Sequence, residues 1–442
     1  MKKSLLAPAV GAALGVFGGV PVYADFIEDS KLTFSTRNFY YNQDVRNQEG
    51  ARLEEWGQGF MLNFQSGFTE GPVGFGVDAL AMYGLRLDSG GKVGKAGVDR
   101  TGGSVFPLES NGSTVNEFSK VGVTGKVRFA KTVAQLGALR PRVPVVIAND
   151  GRLLPQMYWG AQIVSNDIDK FTFTAGKLEH STERNSSDSD SLSIEGSNNR
   201  KTGQFSNEFY YGGVDFKATK DLTLQYYYGK LRDFYEQHFL GLVHNWQLPV
   251  GKLQTDLRYF SSDSDGKNSS ASGRAEGYRA NGYWSTGSSN RYEVDNQLWS
   301  ALFTYSLQGH SLGAGVQKIT GNSDFPHLNQ GGGRVLYLIT DAQVHKFHNA
   351  GENTWVVKYA YDFAAAGIPG LKAGVNYFSG DDIDAAGSDK REWERDIRLD
   401  YTFQEGVLKG VGLSWMNAMW RGNDTRDVDE NRLIVNYSIP LL

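Results

Sequence analysis

The chain has no cysteine, only 11 prolines among 442 residues and seven histidines, and beyond residue 24 it holds no continuous apolar run of eighteen residues. Each shortage removes a class of protein. Without cysteine there is no disulfide framework, and the lack fits export into an oxidising compartment. Without a long apolar run there is no membrane-crossing helix, which excludes a helical membrane protein. Scarce proline and no stretch of linker composition argue for one large unit and against a string of domains. A formal charge of −4 gives no basic surface for nucleic acid, so no nucleic-acid partner is expected.

The first residues say where the unit lives. Lys2 and Lys3 form a charged start, 5–20 is apolar and uncharged, and Val22-Tyr23-Ala24 puts small residues where a signal peptidase reads. The pattern predicts a leader over 1–24, cleaved before Asp25. Pro8, the glycines that follow it and the aromatic alternation beyond argue against a retained helix. Loss of Lys2 and Lys3 takes the formal charge from −4 to −6.

From residue 31 to the end, apolar or aromatic residues alternate with small, polar or charged ones at period two, the pattern of strands. Val73-Gly74-Phe75-Gly76-Val77-Asp78-Ala79 is one such run; Leu222, Leu224, Tyr226, Tyr228 and Trp355, Val357, Tyr359, Tyr361 are others. The apolar stripes end in Tyr, Phe or Trp, as an outward lipid band with aromatic girdles does. Connections alternate in length: short at 67–72, 166–169, 218–221, 248–251, 308–309, 364–370 and 404–406, long at 88–116, 179–204, 261–291 and from 321 onward. Short periplasmic turns and long outer loops define a transmembrane antiparallel β-barrel. Nineteen candidate strands are one too many for an even count, so 334–347 is taken out of the wall. Its Val335-Leu336-Tyr337-Leu338-Ile339 piece is expected to fold into the mouth, with Leu336 and Leu338 open to pore water. About eighteen strands leave an aqueous channel.

Parity then sorts the charges. Leu32 and Phe34 facing lipid turn Lys31, Thr33, Ser35 and Arg37 inward, and the same rule turns Arg86, Lys126, Arg128, Arg258, Lys358, Arg398 and Arg432 inward, with acids at Asp78, Asp256, Asp362 and Asp400. Arg37, Arg86, Arg258 and Arg432 fall toward the outer mouth, Lys358 and Arg398 near mid-height. Any one of them serves equally well as a brace across the wall. As a set, they offer an anion partners worth about 1 kcal/mol each in water and up to about 4 where water is restricted, enough to attract without trapping. Segment 134–160 breaks the alternation with Pro141, Pro144 and the turn-former Asn149-Asp150-Gly151, yet it is apolar. It is expected to be an inward-folded third loop with Asp150 and Arg152 at its tip. Arg152 then reaches the narrowest part of the lumen; the alternative is that it pairs with Asp150 and pins the loop.

These residues match a known family. Arg37-Asn38-Phe39-Tyr40, Trp56-Gly57-Gln58-Gly59-Phe60, Asn149-Asp150-Gly151-Arg152-Leu153-Leu154-Pro155-Gln156, Arg184-Asn185-Ser186-Ser187-Asp188-Ser189, Trp393-Glu394-Arg395-Asp396 and Arg426-Asp427-Val428-Asp429-Glu430-Asn431-Arg432 resemble the OprD family of outer-membrane porins, over essentially all of the mature chain. Within it, the chain looks more like the branch taking up cyclic and aromatic carboxylates than the one taking up basic amino acids. The resemblance implies an eighteen-stranded barrel over 25–442, often a loose homotrimer, with the third loop (139–156) and the seventh (320–353) forming a constriction. It also implies an arginine ladder for carboxylates, with roles on Arg37, Arg46, Asp150, Arg152, Arg184, Arg395 and Arg398, to which inward parity adds Lys358 and Arg432. The implied partners are small anionic solutes, outer-membrane lipid and lipopolysaccharide, and the barrel-assembly machinery during biogenesis; no cofactor is implied. One departure stands out, since Met416 and Ser414 occupy inward positions where relatives carry charge. It leaves room for a general or amino-acid and peptide pore of the same fold.

Three other signals in the sequence lead elsewhere and fail on their own residues. Asp263-Ser264-Asp265-Gly266 starts like a calcium loop but continues with Lys267 and reaches Arg274 where an acid is needed. His345 and His348 lack an evident third ligand, so no metal is expected. A barrel enzyme of the outer membrane needs a nucleophile and base, but no Gly-X-Ser-X-Gly turn occurs and the histidines are scattered, so no enzyme is expected. The barrel reading predicts that the mature chain, extracted in detergent, runs differently on gels before and after boiling. A folded, monodisperse protein from the aqueous fraction without detergent sinks it.

Overall fold

A computed structural model of the chain describes residues 23–46, 52–195, 203–331, 333–387, 390–423 and 426–442. The expected leader, save its last two residues, lies outside them. A short helix α1 (Tyr23–Glu28) sits against the first periplasmic turn, where the Gly67 amide and the Ser30 hydroxyl both donate to the carbonyl of Phe26, at 3.1 and 2.5 Å.

Eighteen strands form the wall: β1 (Lys31–Val45), β2 (Arg52–Gln65), β3 (Val73–Ser89), β4 (Glu117–Phe129), β5 (Thr132–Leu139), β6 (Met157–Ser165), β7 (Phe171–Thr182), β8 (Phe209–Lys217), β9 (Leu222–Leu231), β10 (Tyr235–Gln247), β11 (Lys252–Ser264), β12 (Asp295–Leu307), β13 (His310–Thr320), β14 (Asn353–Asp362), β15 (Leu371–Asp381), β16 (Glu392–Thr402), β17 (Gly412–Gly422) and β18 (Val428–Pro440). Each pairs antiparallel with the next, and β1 closes on β18 from Thr33 opposite Pro440 to Val45 opposite Val428. Two-residue strands at Arg100–Thr101 and Asp190–Ser191 lean on β2 and β7 from the loops. Among the described residues between Thr320 and Asn353 there is no wall strand.

The wall is inside-out relative to a soluble sandwich. On β4, Val121 and Val123 are 62 % and 50 % exposed while Lys120, next to Val121, is 3 % exposed. Apolar residues face lipid because lipid is as apolar as they are, and charged ones turn to the lumen.

The lumen is not the uniformly polar space that parity suggests. On β8 to β13 the inward residues of the outer half are large and apolar: Phe209, Tyr211, Tyr227, Phe239, Phe260, Leu298 and Ile319. Val145 and Val146 of the third loop and Leu336 and Leu338 of the seventh pack against them. Leu336 and Leu338 are therefore buried against the wall and not open to pore water, because the alternation that made the segment look like a strand gives it an apolar face to dock. Arg258 also departs from expectation. It forms a two-pronged pair with Asp256 and lies 4.0 Å from the ring of Tyr337, under the seventh loop and not at a wide mouth.

Phe260 centres this packing, its ring 4.7 Å from that of Phe239 and 5.0 Å from that of Phe325. Phe260→Ala is expected to cost the loop's seat about 3–5 kcal/mol. Limited proteolysis should then cut within 321–352 while the heat-modifiable barrel persists; unchanged protection there argues against this packing.

Candidate functional site

Four outer loops meet inside the barrel, each fastened by a buried polar group. The second loop is held by Glu55 of β2, whose carboxylate accepts the Ser104, Val105 and Phe106 amides at 2.8, 2.7 and 3.2 Å. This lays Phe106 on bare backbone: a Cβ at Gly57 would sit 2.5 Å from its ring and 2.9 Å from Leu153. Glycine in the Trp56-Gly57-Gln58-Gly59 stretch thus makes room for two loops. The third loop folds as a small hairpin, Arg142–Val143 against Val146–Ile147, turned by Pro144. Lys120 ties it to the fourth loop by donating to the carbonyls of Pro155 and Glu183 at 3.1 and 2.6 Å.

Arg184 and Asn149 tie the third, fourth and seventh loops together. The Arg184 guanidinium donates to the carbonyl of Gly331 at 2.7 Å and to Asn149 Oδ1 at 3.2 Å, and Asn149 Nδ2 donates to the carbonyl of Gly333 at 3.1 Å. Burial, then repulsion from Arg152 and Arg432, pulls the Arg184 guanidinium well below its ordinary value.

Glu430 of β18 is the acid on which these cations depend. It accepts from Tyr41 at 2.8 Å and from Arg432 Nε at 2.6 Å, and Arg152 Nη2 lies 4.0 Å away. Arg432 also donates to the carbonyl of Gln343, so this network reaches the seventh loop.

Between these loops and the wall of β15 to β18 lies a cavity of about 320 Å³. Arg152, Arg184, Arg334, Lys346, Arg398 and Arg432 line it with Asp341, Asp396, Glu430, Asn376 and Met416. Of the residues expected from sequence, Arg152, Arg184, Arg398 and Arg432 meet here, and Arg37 joins through its bonds to Asp150 at 2.9 Å and to the Arg152 carbonyl at 2.6 Å. The other three lie elsewhere. Arg46 is at the outer rim, paired with Asp429. Lys358 is spent on the carbonyl of Ile339 at 2.7 Å, beneath the seventh loop. Arg395 binds Asn417 on the outward parity, because the rule that turns Arg398 inward turns Arg395 out.

Arg152 also differs from expectation. It is 4 % exposed, stacked 4.1 Å from the Tyr41 ring and bonded to Ser104 Oγ at 3.2 Å, so its guanidinium forms the floor of the cavity and does not project into it. Burial draws it below its ordinary value. Nor does it pair with Asp150, whose carboxylate binds Arg37.

Sequence reasoning missed Glu430, Asp396 and Arg334. Parity alone finds the first two, since they share a face with Arg432 and Arg398. Arg334 sits in an irregular loop, where parity says nothing.

The geometry is that of known porins. The model of the outer membrane porin, OprD family, matches residues 24–441. The chain is 32 % identical to the porin-like protein GalP of Pseudomonas putida over 421 residues, covering 94 % of this chain and 93 % of GalP. Among solved structures, Pseudomonas aeruginosa OccK8 (OprE) is 54 % identical with a TM-score of 0.88, over 95 % of this chain and 100 % of that one. Pseudomonas aeruginosa OpdK, solved with vanillate, is 31 % identical with a TM-score of 0.82, over 94 % of this chain and 100 % of that one. The family match and the likeness of fold agree with the closed eighteen-stranded wall, and the chain belongs to the OprD family of outer-membrane porins, which are channels and not enzymes.

Proposed function

We propose that the pore gives passive, moderately selective diffusion of small carboxylates, aromatic ones included. The balance of paired and free charge around the cavity carries this reading. Arg37 is held by Asp150, Arg152 and Arg432 by Glu430, Arg398 by Asp400 and Lys346 by Asp341. Arg334 differs, for among the described residues its guanidinium has no hydrogen bond or ion pair, and its Nε is buried. A carboxylate that reaches Arg334 breaks no ion pair among the described residues, though Glu195 and Asp324 lie within its field, and gains about 1–4 kcal/mol depending on how much water remains. Arg37, Asp150, Arg184, Arg398 and Arg432 set the field on either side of it, with Arg398 54 % exposed by side chain. Arg46, Lys358 and Arg395 act as braces. The vanillate in OpdK, a carboxylate on an aromatic ring, supports the same solute class.

The alternative, a general or amino-acid and peptide pore of the same fold, draws on Asp341 and Asp396 in the same cavity and on Met416, which stands opposite both Arg398 and Arg432 where another charge would complete the ladder. The proposal includes cleavage before Asp25, insertion by the barrel-assembly machinery, contact with lipopolysaccharide and a loose homotrimer.

Planar-bilayer conductance and vesicle uptake with a panel of carboxylates, amino acids and sugars test it. Arg334→Gln should lower carboxylate uptake by up to about tenfold, the equivalent of ~1.4 kcal/mol, and shift ion preference toward cations; uptake equal to wild type sinks the reading. Met416→Arg should move the reversal potential further toward anions, and no movement would place Met416 outside the solute's path.

A further inference from the structure

The seventh loop returns to the wall over a patch of buried acids and imidazoles, of which Asp396 alone also lines the cavity. Three inward positions on β16 grip it. Glu394 accepts the Val344 and His345 amides, both at 2.7 Å, and Asp396 accepts the Gln343 amide at 3.0 Å. Glu392 takes His345 Nδ1 at 2.9 Å and Trp420 Nε1 at 2.8 Å, and the His345 ring stacks on that indole at 4.5 Å.

A second carboxyl arrives from the loop itself. Glu352 is 0 % exposed and shares one amide with Glu392: Asn349 Nδ2 donates to Glu352 Oε2 at 3.1 Å and to Glu392 Oε1 at 3.0 Å. Its other oxygen has no partner among the described residues and rests on the backbone of Gly380, where a Cβ would fall 2.0 Å away. Two acids in contact, out of water, with one shared amide donor, cannot both be ionised at modest cost.

We propose that the 343–352 end of the seventh loop is a pH-responsive latch, which holds the loop against the wall only while Glu352 and Glu392 share a proton and releases it when that proton is lost. The loop end includes Gln343, Val344 and Lys346 of the cavity lining, so release widens the constriction.

The charged surroundings shape the response. Facing the pair are His345, His348 and Asp324 of the same loop, with His327, Lys346 and Arg334 behind them; from the wall and eighth loop come Glu394, Asp396 and Asp384. Burial, and next the charge of Glu392, holds the Glu352 carboxyl well above the ordinary carboxylate value near 4.5. The docked loop therefore binds this proton more tightly than a released loop does, and docking weakens as pH rises from the ordinary value to the raised one. The histidines act oppositely. Burial, then Arg334, pulls His327 down to about 3, and burial with the same arginine pulls His348 well below its ordinary value near 6.5. Docking weakens again as pH falls below that value. The acid pair acts toward high pH and the histidines toward low pH, which gives conductance an alkaline limb and a separate acid limb.

Single-channel conductance in potassium chloride alone, from about pH 5 to about pH 10, reads the loop and not the solute, so its outcome is independent of which solute the pore carries. Wild type should show conductance rising toward the high-pH end of this range. Glu352→Gln keeps the amide contact without an ionisable proton and should lose the alkaline limb while keeping the acid one. Glu392→Gln removes the like charge and should shift the alkaline limb to lower pH; this second variant decides the matter if the first does not give a folded barrel. A flat wild-type profile, a limb unchanged in Glu352→Gln or a limb unshifted in Glu392→Gln overturns the proposal.

Discussion

Inside a bilayer no water reaches the backbone, so every amide and carbonyl of a spanning segment must find a partner within the protein. For strands the one complete solution is a closed ladder, and everything else in this molecule depends on the closure of β1 onto β18. Once the ladder is closed the side chains cost little to arrange. One parity meets lipid and must be apolar; the other is free of that demand and can carry charge, as Val123 and Lys120 do on one strand.

An interior eighteen strands wide cannot be filled by wall side chains. The outer loops fill it, and loop backbone inside a barrel brings unpaired polar groups that would each cost about 1–3 kcal/mol if left so. The fastening follows from that cost. Glu55 and Glu394 are buried acids that each accept several loop amides, while Lys120 and Arg184 are buried donors that accept nothing and give hydrogen bonds to loop carbonyls. A buried charge without such partners is expensive; here Glu55, Glu394 and Lys120 each answer two or more backbone groups, and Arg184 a carbonyl and the Asn149 side chain, which fastens the loops to the wall and to one another.

Much of this was legible in the sequence, because period two has a single physical cause along the whole wall. The alternation marks the strands, short links such as 308–309 mark the periplasmic end, and paired prolines mark the third loop. The same rule was right about Arg398 and Arg432. It turns Arg395 outward, against the role its motif implies. Parity says which way a side chain points, but not what it meets. Phe239 and Phe260 point inward like any porin polar residue, yet they meet the seventh loop, and nothing local to β10 or β11 announces that contact. Arg152 shows the same gap, since its burial depends on Tyr41 and Glu430, both far away in sequence. Glu430 was visible in principle, two residues from Arg432 on the same face.

Packing one side of the lumen has a consequence for the other. With β8 to β13 covered by apolar loop residues, the charged cavity beside the loops lies toward β15 to β18 and β1. On β16 the inward face reads Glu392, Glu394, Asp396, Arg398 and Asp400 from the outer end downward, and its two ends do different work. The upper acids hold the seventh loop by its amides; Arg398 below them faces the cavity, braced by Asp400 at 2.7 Å. Asp396 belongs to both, accepting the Gln343 amide while lining the cavity. Loop position and pore charge are therefore not separable on this strand, because a change in one acid alters how far the loop intrudes as well as what potential the solute feels.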